Sequence, residues 1–213
     1  MTQKIQHHLT TPLLMGYAAG TLPEAFNLVV ATHVSLCDDC RAALAEFEAV
    51  GGETMLDVAP VAMSDCALAG TLAKIAQRDA VVATSTAART GPYPAPLAPY
   101  IRDFAQWKKI GGGVSQMLLH TGDRASVRLL KIPAGTAVPD HGHKGTELTL
   151  VLQGAFVDET DRFGVGDIEV ANEDMHHTPI AEMGEDCICL SATDAPLAFH
   201  GLLPRIAGRL MGI

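Results

Sequence analysis

Apolar residues recur every three to four positions through the first third of the chain, and every second position through much of its second half. The first period predicts helices. Residues 12–19 form a short apolar one. A second, over 23–36, opens with Pro23 and Glu24. Both suit a first turn, where proline has no N–H to leave unpaired and a carboxylate meets the positive end of the helix dipole. A third, over 38–49, starts at Asp38 or Asp39 and is expected to stop before Gly51-Gly52. Ser64 and Asp65 can cap a fourth over 66–77, on which Leu68, Leu72 and Ile75 share one face.

A stretch of small residues and four prolines follows (Pro92, Pro94, Pro96, Pro99), which sustains neither a helix nor a central strand. Beyond it, SVRLLKI, ELTLVLQG, GDIEV and DCICLSA alternate as short strands separated by Gly, Pro and Asp turns. The expected fold is therefore two-domain: an all-α N-terminal module over 1–80, a Pro-rich linker over 81–98, and an all-β sandwich or barrel over 99–213.

Composition narrows the function classes. The chain is 48% hydrophobic and 18% charged, as a folded globular protein is. No apolar run reaches the roughly 18 to 20 residues of a membrane span, and the N-terminus has no apolar signal core, so a cytoplasmic protein is expected. Five cysteines in such a chain more often bind metal or do redox chemistry than form structural disulfides. A net charge of −9 argues against nucleic acid as a direct partner. Residues 1–90 hold five Lys/Arg (Lys4, Arg41, Lys74, Arg78, Arg89) against nine Asp/Glu, which suits a basic protein partner better.

Within the β module, His141, His143 and Glu147 are all odd-numbered, so an extended hairpin can present them on one face with Leu148, Leu150 and Leu152 on the other. Two imidazoles and a carboxylate suit a first-row divalent metal. The run Gly135-x5-His141-x-His143-x3-Glu147-x6-Gly154 resembles the first cupin motif at every fixed position. Gly166 leads in register to His177, the fourth ligand of the second motif, although Asn172 and Asp174 stand where Pro and Gly are usual. The all-β module is accordingly expected to be a cupin barrel holding zinc or another divalent metal. Cys187 and Cys189, on one strand face, and Cys66 on the fourth helix are expected in the core.

In the helical module, His33, Cys37 and Cys40 are spaced four and three apart, which brings them to one site on a helix or across a helix junction. A helix N-terminus also eases thiol ionisation. These three supply all but one ligand of a tetrahedral zinc site, and His7 or His8 can supply the last. A thioredoxin-like role for Cys37-x2-Cys40 lacks the surrounding βαβ pattern.

His33-x3-Cys37-x2-Cys40 after an upstream histidine resembles the zinc-binding anti-sigma domains, and GYAAGTL (residues 16–22) resembles their usual AYAAGTL. Joined to a C-terminal cupin, the whole chain resembles the ChrR-type anti-sigma factors. That resemblance implies zinc on His8, His33, Cys37 and Cys40, with His8 preferred because it precedes the apolar Leu9. It implies a second metal on His141, His143, Glu147 and His177. It also implies a negative regulator that sequesters an extracytoplasmic-function (group IV) sigma factor through its helical module. Release would follow an oxidative signal of the singlet-oxygen type, sensed through the cupin. Leu13, Leu14, Phe26 and Val30 are expected to remain partly exposed for the partner. The alternative is a metal-dependent cupin enzyme, a dioxygenase or isomerase, with a helical accessory domain.

Overall fold

A computed structural model describes residues 4–77, 93–101, 106–195 and 198–199. Most of the Pro-rich linker (81–92) and the tail from 200 onward lie outside the described residues. Four α-helices come first: α1 (Thr11–Ala18), α2 (Glu24–Leu36), α3 (Asp38–Leu56) and α4 (Ala67–Gln77). A 3-10 turn, Ala95–Leu97, leads into the strands β1 (Lys108–Gly111), β2 (Val114–Thr121), β3 (Ser126–Ile132), β4 (His141–Gly142), β5 (Glu147–Gln153) and β6 (Ala155–Val157). They continue with β7 (Arg162–Gly164), β8 (Ile168–Ala171), β9 (His176–His177), β10 (Ile180–Ala181), β11 (Cys187–Thr193) and β12 (Ala198–Phe199).

The strands form a six-stranded sheet in the order β1-β2-β3-β11-β5-β8 and two three-stranded sheets, β10-β6-β7 and β12-β4-β9. Every pairing is antiparallel. Among the described residues these sheets do not close into the single barrel expected from the sequence. The β-module is cupin-like, built of separate sheets.

Local chemistry explains most helix ends. Pro12 sits in the first turn of α1, and Gly20 follows that helix with φ of +65°. Cys37, in extended conformation, ends α2 by donating its N–H to the His33 carbonyl (2.8 Å). The same residue starts α3, where its Sγ accepts the Cys40 N–H (3.4 Å). Asp38 and Asp39 fill the first turn of α3. The expected stop at Gly51-Gly52 does not occur, and α3 runs on to Leu56. A glycine costs a helix about 1 kcal/mol relative to alanine, which lengthening the helix can absorb.

One apolar core joins the helices to the large sheet. It holds Leu13, Leu14, Phe26, Val29 and Val30 from α1 and α2, with Val127, Leu129, Leu148, Leu150 and Leu190 from β3, β5 and β11, and Leu97 from the 3-10 turn. Helix α2 packs against β3, β5 and β11. β5 is therefore buried on both faces: Leu148 and Leu150 join this core, while Val151 belongs to a second core with Phe156, Phe163, Cys187 and Cys189.

Two expectations about exposure are corrected. Leu13, Leu14, Phe26 and Val30 are buried, because α1 packs on α3 and α2, and α2 in turn packs on α3 and the sheet. Cys66 is exposed, because α4 buries none of its residues and leaves Leu68, Leu72 and Ile75 open to solvent. Cys187 and Cys189 are buried, as expected for core thiols, with their sulfurs 3.5 Å apart.

Candidate metal centres

The helical cluster sits where the polypeptide turns from α2 into α3. His33 lies in the last turn of α2, Cys37 at the junction and Cys40 in the first turn of α3. The α2–Cys37–α3 bend turns the spacings of four and three into convergence on one point. The residues before α1 bring His8 to the same point, with Nδ1 3.2 Å from Cys37 Sγ and 3.7 Å from Cys40 Sγ. His33 Nε2 is 3.3 Å from Cys40 Sγ. His7 points away, its ring against Phe163 (4.3 Å between centroids) and its Nε2 3.2 Å from the Arg162 carbonyl oxygen. Of the two candidate histidines, the structure brings His8 to the cysteines.

These distances fit a tetrahedral ion. With Zn–N of about 2.0–2.1 Å and Zn–S of about 2.3 Å, the nitrogen-to-sulfur edge of a tetrahedron is about 3.6 Å. His33 is fully buried with its Nε2 facing Cys40, while the Gly166 backbone interacts with its ring from the β-module side. Burial, reinforced by the neighbouring His8, pushes its imidazole down to about 4, so it stays neutral with a lone pair free to coordinate. Burial pushes the Cys40 thiol up to about 11, which a bound dication would reverse.

In the β-module, four buried side chains converge from three segments: His141 and His143 from β4 and the turn after it, Glu147 from the start of β5, and His177 from β9. β4 and β9 pair so that His141 lies opposite His177. His177 Nε2 is 3.2 Å from both His143 Nε2 and His141 Nε2. Three imidazole nitrogens at this spacing repel unless a proton or a metal lies between them, and metal–nitrogen bonds of about 2.1 Å give edges of about 3.0–3.4 Å. Burial pushes His141 down, and His143 down to about 4, against the attraction of Glu147. His143 Nδ1 lies 3.2 Å from Glu147 Oε2 without the alignment of a hydrogen bond.

The sequence reading missed a supporting layer of side chains. His177 Nδ1 is 3.0 Å from both Asp158 Oδ2 and Glu169 Oε1. Burial opposes charge on His177, but these carboxylates outweigh it and push the imidazole up to about 9. Burial pushes Glu169 itself up to about 7, while hydrogen bonds to Glu169, Thr160 and the Asp161 amide overcome burial at Asp158 and hold it below the ordinary range. A carboxylate on one ring nitrogen fixes the ring and leaves the other nitrogen for a metal. Ser191 Oγ–H donates to Glu147 Oε1 (2.5 Å), fixing the fourth side chain. Glu169 could have been flagged, since it is a carboxylate in the middle of the apolar strand GDIEV. Asp158, in a turn, gave no such signal.

Both clusters sit in a chain with a close, near-full-length relative. The anti-sigma-E factor ChrR of Cereibacter sphaeroides is 56% identical over 206 residues, 95% of this chain and 96% of its own length. The chain belongs to the ChrR family of anti-sigma factors. The ChrR cupin-like domain family matches residues 101–196. ChrR in the crystal structure of Rhodobacter sphaeroides SigE in complex with the anti-sigma ChrR superposes with a TM-score of 0.78 at 56% identity. That likeness covers 90% of this chain and 100% of the matched chain. Among the described residues of this ChrR-family chain, no helix is long and apolar enough to cross a membrane.

Proposed function

We propose that this chain is an anti-sigma factor that sequesters an extracytoplasmic-function sigma factor through its helical module. The observation that carries the reading is the likeness over 90% of the chain to a ChrR that was crystallised bound to SigE. Physical support comes from a large apolar surface that nothing among the described residues covers. Val50, Met55 and Leu56 at the end of α3, Val58, Val61 and Met63 after it, and Leu68, Leu72 and Ile75 on α4 are all more than half exposed. A stable monomer rarely leaves so many large apolar groups in water, and an amphipathic helix with a bare face is a common docking element.

The division of labour follows from the two clusters. His8, His33, Cys37 and Cys40 hold a structural zinc that fixes the α2–α3 angle and ties the N-terminal segment to it. Four protein ligands leave no open position, so that centre is scaffold. His141, His143, Glu147 and His177 hold zinc or another divalent metal in the cupin-like module, where an oxidative signal of the singlet-oxygen type is received. The protein works in the cytoplasm, where its partner meets RNA polymerase. The boundaries 1–80, 81–98 and 99–213 separate binding, linking and sensing parts, although the two modules share one core.

Co-expression with an extracytoplasmic-function sigma factor from the same genome tests this reading. The expected result is a one-to-one complex by size-exclusion chromatography, lost when Cys37 and Cys40 are both replaced by Ser. Wild-type chain eluting free of every such sigma factor overturns it. His141→Ala is expected to keep the complex and block its release by the signal.

A further inference from the structure

Three of the four side chains in the helical cluster lie within eight residues of one another, on α2, α3 and the junction between them. The fourth, His8, comes from a segment that the β-module holds. Strand β8 is an outer strand of the six-stranded sheet, so its outward N–H and C=O groups are available to another chain segment. The N-terminal residues take that place. Asp167, 1% exposed just before β8, accepts the N–H groups of Gln6 (2.6 Å) and His7 (2.9 Å) on Oδ1. Its Oδ2 accepts the Gly164 N–H (2.8 Å). The Ile168 N–H donates to the His7 carbonyl (3.3 Å).

Side chains reinforce the backbone contacts. Ile5 covers Gly166, where φ is +90° and an added Cβ would come within 2.7 Å of the Ile5 side chain. His7 packs on Phe163 and lies 3.6 Å from Asp161. Ile5 and His7 thus face the β-module, and alternation turns His8 toward Cys37 and Cys40. Two residues beyond Asp167, the side chain of Glu169 reaches His177 of the other cluster (3.0 Å). One short stretch, 167–169, therefore holds the segment that carries His8 through the carboxylate at one end and His177 through the carboxylate at the other.

We propose that Asp167 is a positioning residue: it holds His8 on the helical zinc centre, and β8 is the mechanical link between the two centres. The inference rests on reading the His8, His33, Cys37 and Cys40 cluster as a zinc site. A shift of β8 at the cupin centre pulls on the N-terminal segment directly, independently of the Pro-rich linker. Asp167 hydrogen-bonds no candidate ligand side chain; it accepts the backbone N–H groups of Gln6, His7 and Gly164, and its charge also reaches His33.

The test uses the zinc-loaded full-length chain in Asp167→Ala and, separately, Ile5→Ala with His7→Ala. The second variant removes the side-chain contacts that press the N-terminal segment onto the β-module, and changes no residue of that module. Two quantities are read: the alkylation rates of Cys37 and Cys40 by peptide mass spectrometry, with exposed Cys66 as internal reference, and amide exchange over residues 5–9. Outer-layer partners of a metal ligand typically alter affinity about 10- to 100-fold, so alkylation of Cys37 and Cys40 relative to Cys66 should accelerate at least about tenfold in both variants. Amide exchange at Gln6 and His7 should rise with it, while metal at the cupin centre is retained. If both variants match wild type in alkylation and exchange, the proposal is overturned. If Asp167→Ala unfolds, the double variant decides alone. Wild-type chain whose metal content equals that of Cys37→Ser with Cys40→Ser overturns the zinc reading instead, a result visible before either variant is measured.

Discussion

Acidifying the metal-free protein isolates what the burial of His33 costs. The folded chain holds this imidazole at about 4, against an ordinary value of 6.5, first through burial and then through the nearby His8. Between those limits the unfolded chain takes up a proton that the folded chain refuses, so stability falls as pH falls from about 6.5 toward 4. The full gap corresponds to about 3.4 kcal/mol, of which about 2.5 kcal/mol is lost by about pH 4.5. Other buried groups titrate in the same window, among them His143, whose burial likewise pushes it down to about 4. The assay is therefore a comparison. Urea unfolding of metal-free wild type and His33→Leu is followed by far-UV circular dichroism at about pH 7 and about pH 4.5. The wild type should lose about 2.5 kcal/mol more than the variant over that interval. Parallel losses would refute the reasoning and mean that His33 accepts its proton in the folded state. With zinc bound, the loss should begin lower and steepen, because protons then compete with the metal for the same lone pair.

Other consequences follow from single contacts. Leu72→Glu with Ile75→Glu should change the stability of the free protein by no more than about 0.5 kcal/mol, because both side chains are exposed, yet abolish sigma-factor binding by isothermal titration. Unchanged binding would place the partner elsewhere. Glu169→Ala removes a support of His177 and should weaken cupin-centre metal about 10- to 100-fold, read by metal analysis after dialysis against a graded chelator. Gly154→Ala should lower the melting temperature, at a cost of about 1–3 kcal/mol. Gly154 has φ of +68°, and a Cβ there would sit 3.0 Å from the Asp186 carbonyl oxygen. An unchanged melting temperature would show that this turn relaxes freely.

How much was legible in the sequence depended on whether the signal was local. The strand SVRLLKI matches β3 at both ends, because alternation and flanking turns are written in adjacent residues. Helix α2 is similarly close, since Pro23 and Cys37 delimit it. The spacing of His33, Cys37 and Cys40 was readable because a helix junction makes it a geometric statement. Burial of whole faces was not. Leu13, Leu14, Phe26 and Val30 look the same in sequence whether they meet a partner or the rest of the fold, and only the packing of α1 on α3 and of α2 on β3, β5 and β11 decides. Cys66 is exposed for the converse reason: an amphipathic helix announces an apolar face, and nothing among the described residues covers that of α4. Asp158 and Asp167 escaped notice because each works across more than a dozen residues, on His177 and on Gln6 and His7 respectively.

The central claim is that this chain keeps a sigma factor from RNA polymerase. Run-off transcription by core polymerase and the cognate extracytoplasmic-function sigma factor tests it most directly. Zinc-loaded chain added in equal amount should abolish the transcript, while chain carrying Cys37→Ser and Cys40→Ser should leave it. A transcript undiminished by an excess of wild-type chain would contradict the account.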